Sequence, residues 1–224
     1  GGQYSVPGAP GLVYAGAIPR AAAFIVDSFL LSIVVAIVTI PFAVSAVNLD
    51  DLSNGALNGA QFMTRTGIAS IIGVLIEGAY FAFLWMSTGR ATLGMRLFSL
   101  QVGDVATGSR LRPDQAVKRW LAYGSWVGAL ALAPAIAGLA GLVQFGWTVI
   151  LLITTVTSPT KQGLHDRFAG SAVVRPASAG NGLALTCLVV ALILPIVVAV
   201  LAVISLIALG GQVSNILSAV GDSI

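Results

Sequence analysis

Long apolar runs separated by short polar stretches dominate the chain. A helix needs about 20 apolar residues to cross the hydrocarbon core of a bilayer. Residues 21–47, 67–86 and 182–209 each meet that length. Asp27 lies one to two turns inside the first run, and Glu77 stands in the middle of the second. Pro195 falls midway along the last, with apolar residues on both sides. That pattern predicts a kinked helix rather than a terminated one. Residues 120–157 form a stretch of 38 without a charge, too long for one crossing and barely enough for two. Pro134 and Gly138 divide it into 120–133 and 139–157. The second piece can cross alone. The first is short unless its helix begins earlier, within 113–119.

Between the runs the periodicity changes. Residues 92–99 place Leu93, Arg96 and Leu97 at helical spacing, which predicts a short amphipathic helix at the membrane surface. Residues 100–105 read as a strand and Ala106-Thr107-Gly108 as a turn. Pro113 opens a new helix that runs into Trp120. Residues 171–175 are a second β-branched stretch, able to pair with 100–105 if both loops share one side of the membrane. Residues 1–19 hold five Gly and three Pro without apolar periodicity and read as a flexible arm. No basic segment precedes the first apolar run, so it does not read as a signal peptide.

Composition narrows the class. The chain is 57% hydrophobic and 8% charged, with a mean hydropathy of +0.97, whereas soluble domains carry about 25% charged residues. The expected fold is all-α. It is a polytopic transmembrane bundle of about five crossings (range three to five), because a helix satisfies its backbone groups within the segment. A small cytoplasmic element of amphipathic helix and β-hairpin-like strands completes it. The pI of 9.4 does not point to nucleic acid, because the basic residues cluster in two loops. Residues 88–119 carry six basic side chains against two acidic, net +4. Residues 158–182 carry three against one, net +2, while residues 48–66 carry one against two, net −1. The positive-inside rule puts both basic loops, and with them the N-terminus, in the cytoplasm. The chain between them must then cross an even number of times. A helical hairpin tipped at 134–138 fits, giving five crossings. The alternative is three or four, with 120–133 lying in the interface. One His and one Cys leave no basis for a transition-metal site, and Cys187 has no internal disulfide partner.

Four segments carry a family resemblance: R-A-A-A-F-I-V-D at 20–27, T-G-R-A-T-L-G-M-R-L at 88–97, L-Q-V-G-D at 100–104, and G-L-H-D-R-F-A-G-S-A-V-V at 163–174. In this order and at these separations the chain resembles the RDD family of small bacterial membrane proteins, over about residues 14–176. The family is named for one arginine and two aspartates, and the resemblance places these on Arg20, Asp27 and Asp166. Members often carry Lys where Met95 stands here. The resemblance implies a multi-pass protein of the bacterial plasma membrane. Some members are connected with ion transport, including sodium–proton exchange. It divides the chain into an arm (1–19), an RDD-like membrane domain (20–176), and an additional C-terminal anchor and tail (177–224).

The polar residues admit competing roles. Asp27 at membrane depth needs a partner. Arg119 or Arg96 can neutralise it and lock the bundle, or Asp27 can itself bind a proton or cation. Arg20 lies seven residues before it, two turns along one helical face and about 10 Å away along the axis. Asp166 is expected to pair with Arg20 or to cap a helix end rather than to contact a substrate. Glu77 is a candidate ion or proton site by its depth, unless hydrogen bonds from Tyr80, Gln144 or Thr148 make it helix glue. Gly124 and Gly128 form a weak close-approach motif. No nucleophilic triad, phosphate loop, dinucleotide or zinc motif occurs, so neither an enzyme nor a cofactor is expected. Two functions fit: a small transporter or cation/proton exchanger, acting as a homo-oligomer, and an accessory subunit that packs on a larger membrane complex.

Overall fold

Apolar runs without internal breakers form long helices here. The computed structural model describes residues 5–44, 59–124, 126–127 and 137–221. Four helices are long and apolar enough to cross a membrane: α1 (Ala17–Val44), α2 (Gly59–Met86), α5 (Ala137–Thr157) and α7 (Gly182–Gly221). Helix α7 continues through Pro195. Large apolar side chains such as Phe29, Leu75, Phe145 and Leu192 are exposed along all four, as lipid-facing surfaces require.

The polar segments build a layer at one end of the bundle. Helix α3 (Leu93–Leu97) starts at Thr92, whose hydroxyl accepts from the Met95 N–H. It exposes Leu93 and Leu97 and buries Gly94 and Met95, the amphipathic pattern expected. Helix α4 (Pro113–Tyr123) has Pro in its first turn. Helix α6 (Leu164–Phe168) follows α5 closely. Strands β1 (Leu12–Tyr14), β2 (Gln101–Asp104) and β3 (Ser171–Pro176) form an antiparallel sheet of order β1-β3-β2. Val102 sits opposite Val173, realising the expected pairing of the two β-branched stretches. The arm is not loose throughout. Val13 pairs with Arg175, and the Ala15 N–H donates to the Val173 carbonyl, so the free edge of β3 recruits the arm as a third strand.

The expected helical hairpin needs correction. Residues 120–133 do not form one helix, because α4 ends at Tyr123 with Gly124 in the left-handed region (φ 81°). Residues 128–136, with most of the hairpin tip, lie outside the described residues. Among the described residues four helices, not five, are long and apolar enough to cross. Strands β2 and β3 pair directly, so the segments before α4 and after α5 lie on one side. Helix α4 leaves that layer and enters the bundle. Its Trp120 ring packs over Gly78, eight residues or about 12 Å above Met86. The Trp147 indole N–H donates to the Ala122 carbonyl at 2.9 Å, ten residues or about 15 Å above Thr157. Helix α4 thus reaches well into the bundle, alongside the middle of α5. Gly124 is the cap seated against Trp147, and Gly128, its partner in the expected motif, lies outside the described residues.

Candidate functional site

Three elements converge on Asp166. It occupies the first turn of α6, where its Oδ2 accepts from the Gly163 N–H at 3.1 Å. Arg20, one turn into α1, donates to the same oxygen, and Arg119 of α4 donates to Oδ1. Arg119 also donates to Ser171 Oγ of β3 at 2.6 Å, and Arg20 to the Lys161 carbonyl at 2.5 Å. Asp166 is fully buried and Arg119 is 2% exposed. Such a cluster persists only when paired and hydrogen-bonded. Burial raises the Asp166 pKa, but the guanidiniums of Arg119 and Arg20 outweigh it and hold the carboxyl well below its usual range. Both roles expected of Asp166 are therefore present, pairing with Arg20 and capping a helix. The part played by Arg119 differs: it neutralises Asp166, not Asp27.

His165 joins this cluster. Arg20 Nη2 lies 3.0 Å from His165 Nε2. A guanidinium only donates, so Nε2 accepts and Nδ1 carries the ring proton. Burial, opposed by Asp166 and reinforced by Arg119 and Arg20, lowers the His165 pKa to about 3. The ring stays neutral and meets Tyr123 edge-on, with centroids 4.7 Å apart.

Asp27 is held without a cation. Its Oδ1 accepts from the Tyr80 hydroxyl at 2.6 Å and the Gly94 N–H at 2.7 Å, and its Oδ2 from the Thr92 hydroxyl at 2.5 Å. Among the described residues no basic side chain forms an ion pair with it, so the expected pairing with Arg119, Arg96 or Arg20 does not occur. Gly94 makes the cradle possible, since a Cβ there would overlap the Ala23 carbonyl oxygen and crowd the Asp27 carboxylate. A cavity of about 20 Å³ separates Asp27 from Arg20 and Arg119, room for a single water. The chain thus splits Arg20, Asp27, Asp166 and Arg119 into a charged lock and a neutral cradle.

Glu77 lies elsewhere. It lines a cavity of about 510 Å³ between α1, α2 and α5, together with Ser28, Ser32, Thr39, Ser70 and Gln144. A second cavity, of about 160 Å³, runs from Arg20 and His165 along α1 and α5. Phe24 and Gln144 line both. Tyr80 is engaged by Asp27, and the Thr148 hydroxyl donates to the Gln144 carbonyl. Gln144 is the residue from the expected set that shares the Glu77 cavity. The hydroxyls of Ser28, Ser32, Thr39 and Ser70 escape a sequence reading singly. Their recurrence on α1 at 28, 32 and 39 traces one helical face, and that is the signal that marks them. Among the described residues no three His, Cys, Asp or Glu side chains gather as a metal-holding group.

The family model for the RDD family matches residues 14–170. The chain belongs to the RDD family. No curated protein and no solved structure matches it. The RDD match takes in the Asp166 lock, the Asp27 cradle and the Glu77 cavity, and it stops before α7. Within this RDD chain the arginine and two aspartates expected from the resemblance do not form one cluster. Arg20 and Asp166 touch, while Asp27 meets Tyr80, Thr92 and Gly94.

Proposed function

We propose that this RDD protein is a small cation/proton exchanger of the bacterial plasma membrane, with Glu77 as its titrating carboxyl. The supporting observation is the cavity of about 510 Å³ at membrane depth, walled by Glu77 and several hydroxyl and amide side chains. Hydroxyl and carboxylate oxygens suit a hard cation, and a carboxyl inside a membrane protein reads by default as part of an ion or proton path. In this reading the second cavity extends the path toward the sheet layer, and Phe24 and Gln144 stand at the junction. The Arg20–Asp166–Arg119 lock closes that end and stays fixed, and Asp27 holds α3 against α1. The net charges of +4 and +2 on loops 88–119 and 158–182 support a cytoplasmic side for both loops and the N-terminus in this reading. The working form is a homo-oligomer.

Glu77→Gln keeps size and hydrogen bonding but cannot titrate. In proteoliposomes carrying a pH-sensitive dye, the wild type is expected to show cation-driven proton flux. The variant is expected to lose it while eluting and melting as the wild type does. Flux that survives in folded Glu77→Gln protein sinks the exchange-site reading. The accessory-subunit reading draws support from α7, whose most apolar window has no buried residue and so offers a full face to another membrane protein. Absence of flux in both proteins, with a larger partner co-purifying in fixed ratio, favours that reading.

A further inference from the structure

A buried guanidinium without a carboxylate is costly unless something anionic meets it. Arg175 of β3 is 5% exposed. Its Nη1 donates to the Asn181 side-chain oxygen at 2.7 Å and to the Gly180 carbonyl at 3.4 Å, both neutral acceptors. Its Nε–H has no acceptor, and no carboxylate pairs with it among the described residues. Arg119, the other buried arginine, also leaves its Nε–H without an acceptor but shares the Asp166 carboxylate, which Arg175 does not.

Arg175 lines a cavity of about 320 Å³ between the sheet and the end of α3 with its flanking segments. Arg96 lines the same cavity from α3, and it too forms no ion pair among the described residues. Gly89 makes room for it, since a Cβ there would collide with the Arg96 guanidinium. Ser99 and Gln101 add polar groups to the wall, and no acidic residue lines it. Helix α3 exposes Leu93 and Leu97 beside the cavity, an apolar surface suited to lipid.

We propose that Arg96 and Arg175 form an anion site for a phosphate group, presented by a phospholipid headgroup or by a free phosphate. Guanidinium forks match phosphate oxygens in geometry as well as charge, and the unsatisfied Nε–H of Arg175 supplies a donor that the fold leaves unused. The site stands apart from the Glu77 cavity and does not depend on it.

The test uses the full chain, purified in a neutral detergent and stripped of lipid. It is titrated with inorganic phosphate and, separately, with water-soluble short-chain phosphatidic acid, followed by phosphorus NMR and thermal shift. Saturable binding is expected, weakened at least roughly tenfold in Arg96→Gln and in Arg175→Gln and unchanged in Arg110→Gln, an exposed arginine outside the cavity. Binding of inorganic phosphate identifies a free anion as sufficient. Binding of the lipid alone identifies a headgroup. Arg96 is exposed and makes no ion pair, so Arg96→Gln folds and decides the matter even if Arg175→Gln does not. Binding of neither ligand overturns the site, as does equal binding by wild type and Arg96→Gln.

Discussion

Two guanidiniums neutralise Asp166, whereas Asp27 meets two hydroxyls and a backbone amide. The same substitution therefore has different costs at the two positions. Asp166→Asn leaves Arg20 and Arg119 as buried, uncompensated cations, with an expected loss of about 3–5 kcal/mol. Asp27→Asn keeps an acceptor for Gly94 and Tyr80, and its amide can donate to the Thr92 oxygen, so the loss is about 1–2 kcal/mol. Thermal melts in detergent check the order. Equal or reversed damage means that Asp27 carries an ion pair after all. His165 adds a pH dependence of defined sign. Its folded pKa is depressed from 6.5 to about 3, so its contribution is complete above pH 6.5 and declines as pH falls below that value toward 3. Asp166 is also depressed, from 3.8, so its contribution declines only at more acidic pH. Between pH 6.5 and 4 the loss of stability belongs to the histidine. His165→Gln retains an acceptor for Arg20 without a titrating ring, and its melting temperature is expected to fall less across that interval than that of the wild type.

At the scale of elements, α3 is fixed to α1 by the closeness of two backbones. Gly94→Ala would drive a methyl into the Ala23 carbonyl, and close-packed backbone cannot yield cheaply. The variant is expected to lose roughly 1–3 kcal/mol or more, with the Asp27 cradle opened. Gly141→Ala in α5 meets nothing within 4 Å and is expected to be neutral or slightly stabilising. A melt in which both variants match the wild type would show that α3 does not depend on this contact. The long helices, α3, α4 and the β2–β3 pairing are legible in the sequence, because local period and apolar run length report them directly. The β1 strand is not: three residues, Leu12–Tyr14, have no periodicity of their own, and their pairing depends on a β3 edge some 160 positions later. The same reason hides the Asp27 cradle. Tyr80, Thr92 and Gly94 lie between 53 and 67 positions from it, and the depth of a carboxyl shows that it needs partners without showing that they are neutral. Asp166 reads from its charged loop as a surface residue, but it is fully buried in α6, because Arg20 and Arg119, which neutralise it, lie 146 and 47 positions away.

The molecule as a whole must reconcile four long apolar helices with a sheet that joins three separate connecting segments. From β1 to β2 the chain crosses twice, through α1 and α2, and returns to the same layer. From β2 to β3 the only long apolar helix among the described residues is α5, which alone would carry β3 to the opposite side. Direct pairing of Val102 with Val173 forbids that. Helix α4 enters the bundle from the β2 side, beside Gly78, and ends beside Trp147, while residues 128–136 lie outside the described residues. The charge of the loops, +4 for 88–119 and +2 for 158–182, calls independently for the same arrangement. Single cysteines at Ser109 and Ser178, both exposed, test it in a Cys187→Ser background with an impermeant thiol reagent. A third at Asn54, in the segment joining α1 and α2, reports the opposite face. In intact cells Asn54→Cys is expected to label, while Ser109→Cys and Ser178→Cys label together only after the membrane is opened. Labelling of one of the latter pair without the other would separate β2 from β3 across the bilayer and overturn the sheet that joins them.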